Sequence, residues 1–293
     1  MKLISISQLL DQTWELYTQH FPRFMRITCW LFIGSIFHLA SLFLAPEGRE
    51  LTFLATQGLL NAPQIIGLIL SVVGMGGLFA LIRLWAQMEV MQTTDALQKK
   101  TSATPKDIHK RTWKFAFPFL GISIVRGLIF IIPLAVIAPM YIFTILTFTA
   151  ENYILWDTLE QLWGFFGSIA GLILLVLLGT WFWFSSFVLL IEGKTIGASL
   201  RQARALVRGR FFATLGRLLV PKMLFSFVVI VLQIILYVLL AVLLTNLPGL
   251  GNSLYNVIAS IIGNLVFIGS LALTIPLFIS ADYLLYDSLR KNP

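Results

Sequence analysis

The sequence predicts an all-α integral membrane protein with six transmembrane helices, and three observations support this fold class. The mean hydropathy of the 293-residue chain is +0.89, and only 12% of its residues are charged, about half the share of a typical soluble domain. Several apolar runs reach the roughly 20 residues that cross a hydrocarbon core about 30 Å thick. Strand-length segments of alternating polarity, typical of membrane β-barrels, do not occur.

Run length places the six spans along a single polytopic domain that covers residues 1–293. The predicted spans are about Ile27–Ala45, Gln64–Trp85, Gly127–Phe148, Leu162–Ile191, Leu218–Leu244 and Tyr255–Leu284. The fourth and sixth are longer than a bilayer requires, so we expect them to tilt, bend or project. Pro133 and Pro139 in the third span and Pro276 in the sixth are predicted kinks, which neighbouring helices make tolerable.

Loop charge predicts the orientation. The chain has 21 lysines and arginines. Arg49 falls in an acidic outer loop and Arg126, directly before the third span, is left aside; with Arg83 assigned to the cytoplasmic end of the second span, the other 19 lie on the side opposite Arg49. The positive-inside rule then puts the N- and C-termini in the cytoplasm, in agreement with an even number of spans. We therefore expect a multi-pass protein of a prokaryotic cytoplasmic membrane.

The segments that precede the first, third and fifth spans resemble one another. Each begins with a helix-start signal: Ser5 with Gln8, Thr104-Pro105 with Asp107, and Thr195 as an N-cap. An amphipathic stretch, an aromatic corner and an arginine follow in each copy. This pattern predicts three cytoplasmic interfacial helices and a threefold internal repeat, with approximate units 1–98, 99–192 and 193–293.

Helical periodicity separates the faces of these segments. In the first, Ile6, Leu9, Leu10, Trp14 and Tyr17 share one face; in the third, Ile196, Leu200, Ala203, Leu206 and Val207 do so. We expect the apolar stripe of each helix to lie on the acyl boundary and its basic face on anionic headgroups. The predicted anionic-lipid contacts are Lys106, Lys110, Arg111, Arg201, Arg204, Arg208 and Arg210.

Three segments carry a family resemblance: "LLDQTWELYTQHFPRF" near the N-terminus, "GKTIGASLRQARALVRGRFFATLG" after the fourth span, and "YLLYDSLR" near the C-terminus. They resemble a broad group of uncharacterised prokaryotic six-span proteins related to the membrane domain attached to some glycerophosphodiester phosphodiesterases. The resemblance covers most of the chain through loose motifs. It implies a membrane topology and carries over no catalytic residue.

Four polar side chains within the apolar runs are the intramembrane candidates: Arg126, His38, Gln233 and Asn264. Arg126 either holds a phosphate or carboxylate or extends to the cytoplasmic boundary, which the sequence favours. Gln233 and Asn264 either line a polar path or, as favoured, form hydrogen bonds between helices. His38 has no acidic partner in another span, so packing is favoured over a proton relay.

The leading functional hypothesis is a non-enzymatic, lipid-interacting membrane module whose partners are anionic phospholipids. The alternative is a transporter or permease for small or amphipathic solutes, although midplane ionisable residues, typical of ion-coupled transporters, are few. The basic stripe lies on no polar domain with stacking aromatics, so we expect no nucleic acid partner. We expect no cofactor, metal site or catalytic cluster, because the three histidines are far apart and no base accompanies Ser185 or Ser186.

Overall fold

The computed structural model describes residues 3–44, 61–101, 104–142, 144, 153–245 and 252–291, and within them the chain is helical without strands. Arg49 and most of the three predicted outer loops lie outside these residues. The helices are α1 Ile6–Gln19, α2 Phe21–Thr28, α3 Trp30–Gly34, α4 Ile36–Ser41, α5 Ala62–Ser71, a π-helix Val72–Phe79, α6 Ala80–Gln98, α7 Pro105–Lys114, α8 Ala116–Ile137, α9 Tyr153–Phe182, α10 Ser185–Glu192, α11 Ile196–Val207, α12 Phe211–Thr245 and α13 Asn252–Lys291.

Six helical segments are long and apolar enough to cross a membrane, which confirms the predicted fold class. They are Phe21–Ser41, Ala62–Gln98, Ala116–Ile137, Asp157–Glu192, Phe211–Leu244 and Val257–Lys291. The chain is thus a multi-pass, all-α membrane protein.

The first and third spans begin earlier than predicted, and two prolines explain this. Pro22 and Pro118 occupy the first turns of α2 and α8, where a backbone N–H has no helical partner in any case. At the other end of α8, the helix stops at Ile137 and is interrupted at Ala138, directly before Pro139. Pro139 lacks the N–H that would continue the hydrogen-bond ladder. Pro133 and Pro276 lie inside their helices, and a bend at either remains a prediction.

The helix starts agree with the sequence in all three cases, and two of them have side-chain cap hydrogen bonds. Ser5 and Gln8 form a reciprocal capping box, as predicted. Thr104 and Asp107 also cap each other, through contacts of 3.1 and 3.3 Å that involve backbone N–H groups. Thr195 occupies the N-cap of α11, but its side chain makes no cap hydrogen bond among the described residues.

Two compact units divide the chain: residues 1–3, 113–216 and 286–293 form one, and residues 4–112 and 217–285 form the other. The three predicted repeats are a different division and remain a prediction. We call these the middle unit and the split unit, and describe each by itself.

In the middle unit, the third and fourth spans pack along each other through α8 and α9. Trp163 Nε1 donates to the Val136 carbonyl at 2.9 Å, and a Cβ added at Gly171 would lie 2.5 Å from Ile137 Cγ1. Close approach of the two helices therefore requires glycine at 171. The core of this unit includes Phe187 and Tyr286, whose rings stack 5.6 Å apart.

In the split unit, polar contacts join helices that are distant in sequence. Lys222 Nζ lies 2.8 Å from Asp282 Oδ1, so it ties α12 to α13. Tyr283 donates to Asp95 Oδ1 at 2.9 Å, which ties α13 to α6. Arg217 Nε donates to the Ile4 carbonyl at 2.6 Å, just before α1.

The buried face of α1 differs from the predicted apolar face. Leu9, Thr13, Leu16 and Tyr17 are buried, whereas Trp14 is exposed. Trp14 lies beside Tyr17, with ring centroids 6.1 Å apart, at the edge of a packed face centred on Leu9, Thr13 and Leu16, and its contact with the acyl boundary remains a prediction. Burial raises the pKa of the Tyr17 hydroxyl to about 12.

Candidate functional site

Helix α11 presents one face to the protein and the other outward. Ser199, Ala203 and Val207 are buried, while Arg201 and Arg208 are exposed. The arginine face is thus where the periodicity predicted it. The apolar stripe packs on protein in part: Ala203 and Val207 are buried, and a Cβ added at Gly121 would lie 2.8 Å from Ile196 Cδ1, whereas Leu200 and Leu206 are half-buried. That the rest of this stripe lies on the acyl boundary remains a prediction.

The remaining two arginines of the predicted contact set have other surroundings. The guanidinium of Arg204 lies over the ring of Trp181, 4.6 Å from its centroid, although the residue is exposed overall. Arg210 is half-buried. It follows the turn at Arg208-Gly209, where the glycine has a φ of +80° that an L side chain rarely adopts. Arg201 and Arg208 therefore form the most accessible part of the surface.

Glu192, at the end of α10, connects the helices around the start of α11. Its carboxylate accepts from Gln202 Nε2 at 2.8 and 3.0 Å and from the Tyr286 hydroxyl, and it lies 3.0 Å from Lys194 Nζ. These contacts join the end of the fourth span, α11 and the end of α13. From the sequence, Glu192 is expected only to stabilise the start of the following helix. Nothing in the sequence brings Tyr286 beside it.

Helix α7 is a second basic surface. Ile108 and Thr112 are buried, whereas Lys106, Lys110 and Arg111 are exposed. Hydrogen bonds from Thr104 hold the pKa of the Asp107 carboxyl below its usual value and stabilise the start of the helix. All three predicted lipid-contact residues of α7 are thus accessible.

Exposed aromatic side chains follow both basic helices. Phe117 is 85% exposed and Phe212 is 84% exposed, each in the first turn of the helix that begins a span. Trp113 near the end of α7 is also exposed. Aromatic side chains of this kind concentrate at membrane–water interfaces.

Arg126 is bound to the protein. Its Nη1 donates to Ser186 Oγ at 3.0 Å, and its guanidinium lies 5.7 Å from the centroid of the Trp183 ring. Ser186 is therefore a hydrogen-bond partner of an arginine. Neither predicted role of Arg126, ligand binding or extension to the boundary, is tested by these contacts.

Two other intramembrane candidates meet in the split unit. His38 Nδ1 lies 3.1 Å from Ser71 Oγ, and His38 Nε2 lies 3.2 Å from Asn264 Oδ1. Since an amide oxygen only accepts, Nε2 carries the proton, and in the neutral ring Ser71 donates to Nδ1. Asn264 Nδ2 donates to the Ser260 carbonyl at 2.8 Å. The sequence expected no acidic partner for His38, and its partners are neutral; Gln233 is half-buried elsewhere on the fifth span.

A π-helix adjoins this network. It begins at Val72, directly after Ser71, and π-helical turns occur frequently at functional sites. A Cβ added at Gly74 would lie 2.7 Å from the backbone N of His38, so only glycine allows this approach. The sequence predicts that the glycines of the second span allow close helix packing, but Gly76 and Gly77 have open space around them.

Sequence reasoning missed a buried polar stretch in α6. Glu89, Gln92, Thr93, Thr94 and Asp95 are all buried. The predicted second span ended at Trp85, because hydropathy falls there, yet the helix continues to Gln98 inside the protein. A hydropathy profile cannot find such a site; the signal was the uncharged run "MQTT" between two acids.

Comparison of the chain with protein-family models, with curated proteins and with solved structures finds no match. Among the described residues, no group of three or more histidine, cysteine, aspartate or glutamate side chains could hold a metal ion.

Proposed function

We propose that the protein is a non-enzymatic membrane module that binds anionic phospholipid headgroups at the exposed arginine face of α11. It lies in a prokaryotic cytoplasmic membrane with both termini in the cytoplasm, where the positive-inside rule puts its basic segments. The observation that carries the proposal is the separation of the two faces of α11, with its small residues buried and Arg201 and Arg208 exposed.

The physical basis is electrostatic. Attraction between a basic side chain and an anionic leaflet contributes about 1 kcal/mol per residue and decays within a Debye length. Because Ala203 and Val207 are buried in the protein, only the half-buried part of the apolar stripe of α11 is available to the acyl boundary. Phe212, directly after the basic surface, supplies the apolar contact with the acyl boundary. The basic face of α7, with Lys106, Lys110 and Arg111, serves as a second contact.

The test compares full-length variants in nanodiscs that contain a mixture of phosphatidylglycerol and phosphatidylcholine. Arg201→Gln with Arg208→Gln should lower the enrichment of phosphatidylglycerol around the protein, measured by native mass spectrometry, by up to about 30-fold for about 2 kcal/mol. Arg204 is left in place, because it also packs on Trp181.

The matched control, Arg201→Lys with Arg208→Lys, keeps both charges and should keep the enrichment. The enrichment should also fall as salt rises. Equal enrichment for the glutamine and lysine variants would refute the proposal.

A second candidate function, a permease for small or amphipathic solutes, is favoured by one observation. The His38–Ser71–Asn264 network links three spans beside a π-helix. If it lines a path, His38→Leu should abolish efflux of a fluorescent amphipathic dye from proteoliposomes that contain the full chain. Wild-type vesicles that retain the dye as well as protein-free vesicles would exclude this candidate.

A further inference from the structure

One face of α6 carries three side chains with polar atoms that make no hydrogen bond to the described residues. Trp85, Glu89 and Gln92 are spaced i, i+4, i+7, so they share a helix face. Within the described part of the chain, Trp85 Nε1, Glu89 Oε2 and both amide atoms of Gln92 are buried without a hydrogen bond. Gln92 is 4% exposed and Glu89 is 8% exposed. A buried polar group left without a hydrogen bond costs about 1–3 kcal/mol, so something must satisfy these atoms.

The helices around this face contribute aromatic and positively charged groups. The Trp85 ring meets the rings of Trp30 and His109 edge to face, at 6.2 and 5.6 Å. His109 Nδ1 lies 3.5 Å from Glu89 Oε2. From α2, Arg26 adds a positive charge near Glu89, and Nη2 of Arg23 is buried without a hydrogen bond to any described group.

The other two carboxylates described near the end of α6, Asp95 and Asp282, are paired. Asp95 accepts from Tyr283 and lies 2.8 Å from Lys99 Nζ, and Asp282 lies 2.8 Å from Lys222 Nζ. They therefore leave Glu89 and His109 as the pair that can exchange a proton here. The His109 side chain is half-exposed, whereas that of Glu89 is largely buried.

The mixture of unsatisfied atoms matches water. Trp85 Nε1 and Gln92 Nε2 donate, whereas Glu89 Oε2 and Gln92 Oε1 accept. Buried waters in proteins typically make about three hydrogen bonds to groups of this kind. The 3.5 Å distance between His109 Nδ1 and Glu89 Oε2 is long for a hydrogen bond and too short for a water between the two atoms, so the water lies beside this contact.

We propose that Trp85, Glu89 and Gln92 line a hydrated proton-binding site in which Glu89 receives a proton from solvent through His109. The Nδ1–H bond of the His109 imidazolium breaks, the proton crosses the 3.5 Å contact, and an O–H bond forms on Glu89 Oε2. The neutral imidazole then takes a proton from solvent. This inference does not rest on lipid binding at α11.

Infrared difference spectroscopy of the full chain in nanodiscs, between neutral and acidic pH, tests it. A carboxylic C=O band should appear on acidification, vanish in Glu89→Gln, persist in the control Asp95→Asn, and shift at once in D₂O. In His109→Gln the band should form more slowly after a pH jump. The proposal is overturned by a band that survives in Glu89→Gln, by its absence from the wild type, or by a band that does not shift in D₂O.

A second measurement covers the case in which Glu89→Gln does not fold. Gln92→Met keeps the side-chain size but removes the amide. If water satisfies the amide, the melting temperature should fall by about 2–4 °C, the scale of a lost hydrogen bond in a chain of this size. A dry, unsatisfied amide would give the opposite result, an unchanged or higher melting temperature, and would overturn the hydrated site.

Discussion

The fourth span ends at one largely buried glutamate and the second span carries another near its end, and the two have different surroundings. Glu192 accepts hydrogen bonds from two side chains and lies beside a lysine. Glu89 has His109 at 3.5 Å and the positive charge of Arg26 nearby, and it shares its helix face with an amide that has no hydrogen bond among the described residues. A carboxylate with satisfied oxygens holds helices together, whereas one with an unsatisfied oxygen is available for chemistry.

The largest expected effect sharpens this comparison at Glu192. Glu192→Leu should lower the free energy of unfolding by about 3 kcal/mol, because it leaves the buried Tyr286 hydroxyl and the Gln202 amide unpaired. Thermal or denaturant unfolding in detergent measures it. Glu192→Gln retains an acceptor and Tyr286→Phe removes one donor, so each should cost about 1 kcal/mol. Equal costs for Leu and Gln would show that the network does not bear on stability.

A smaller effect is expected at Glu89. Glu89→Met should change the free energy of unfolding by less than about 1 kcal/mol, because the loss of a hydrogen bond to water is offset by the relief of burying a carboxylate. The measurement is the unfolding assay used for Glu192. A loss as large as that of Glu192→Leu would break the comparison and make Glu89 a structural residue.

The smallest effect concerns Asp107, a carboxylate that is satisfied but exposed. Its folded pKa lies below the ordinary value because Thr104 donates to it, so its stabilisation of α7 is complete above about pH 4. It is lost as the pH falls through the lowered folded pKa. Hydrogen exchange of residues 104–109, corrected for intrinsic rates, should accelerate in that acidic range. Asp107→Asn should remove this pH dependence; a variant that retains it would exclude the Thr104–Asp107 cap as the cause.

The sequence was informative where one physical property dominates. Apolar run length located six spans, and helical periodicity placed Arg201 and Arg208 on an exposed face. Both signals are local, so neither needs knowledge of the neighbouring helices. The span starts were less accurate: the first and third spans begin before their predicted starts, because the first turn of a helix accepts Pro22 and Pro118.

Long-range partners could not be read from the sequence. His38 and Asn264 were singled out as polar residues in apolar runs. Their contact across 226 positions of the chain could not be predicted. Glu192 and Tyr286 are likewise far apart in the chain. The polar stretch in α6 was missed because a hydropathy profile treats polar residues as exposed, whereas tertiary packing buries the residues of this stretch.

The π-helix between Ser71 and Ala80 sets the rotational phase of a single helix that runs from Ala62 to Gln98. Each of its hydrogen bonds encloses one more residue than an α-helical bond does. Removing one residue there would turn everything downstream by about 100°, the angle between successive residues at 3.6 per turn. Ser71 would still oppose His38, while Glu89 would swing away from His109. The eight residues of the π-helix thus set the relative orientation of two polar groups on one helix, Ser71 with His38 and Glu89 with His109.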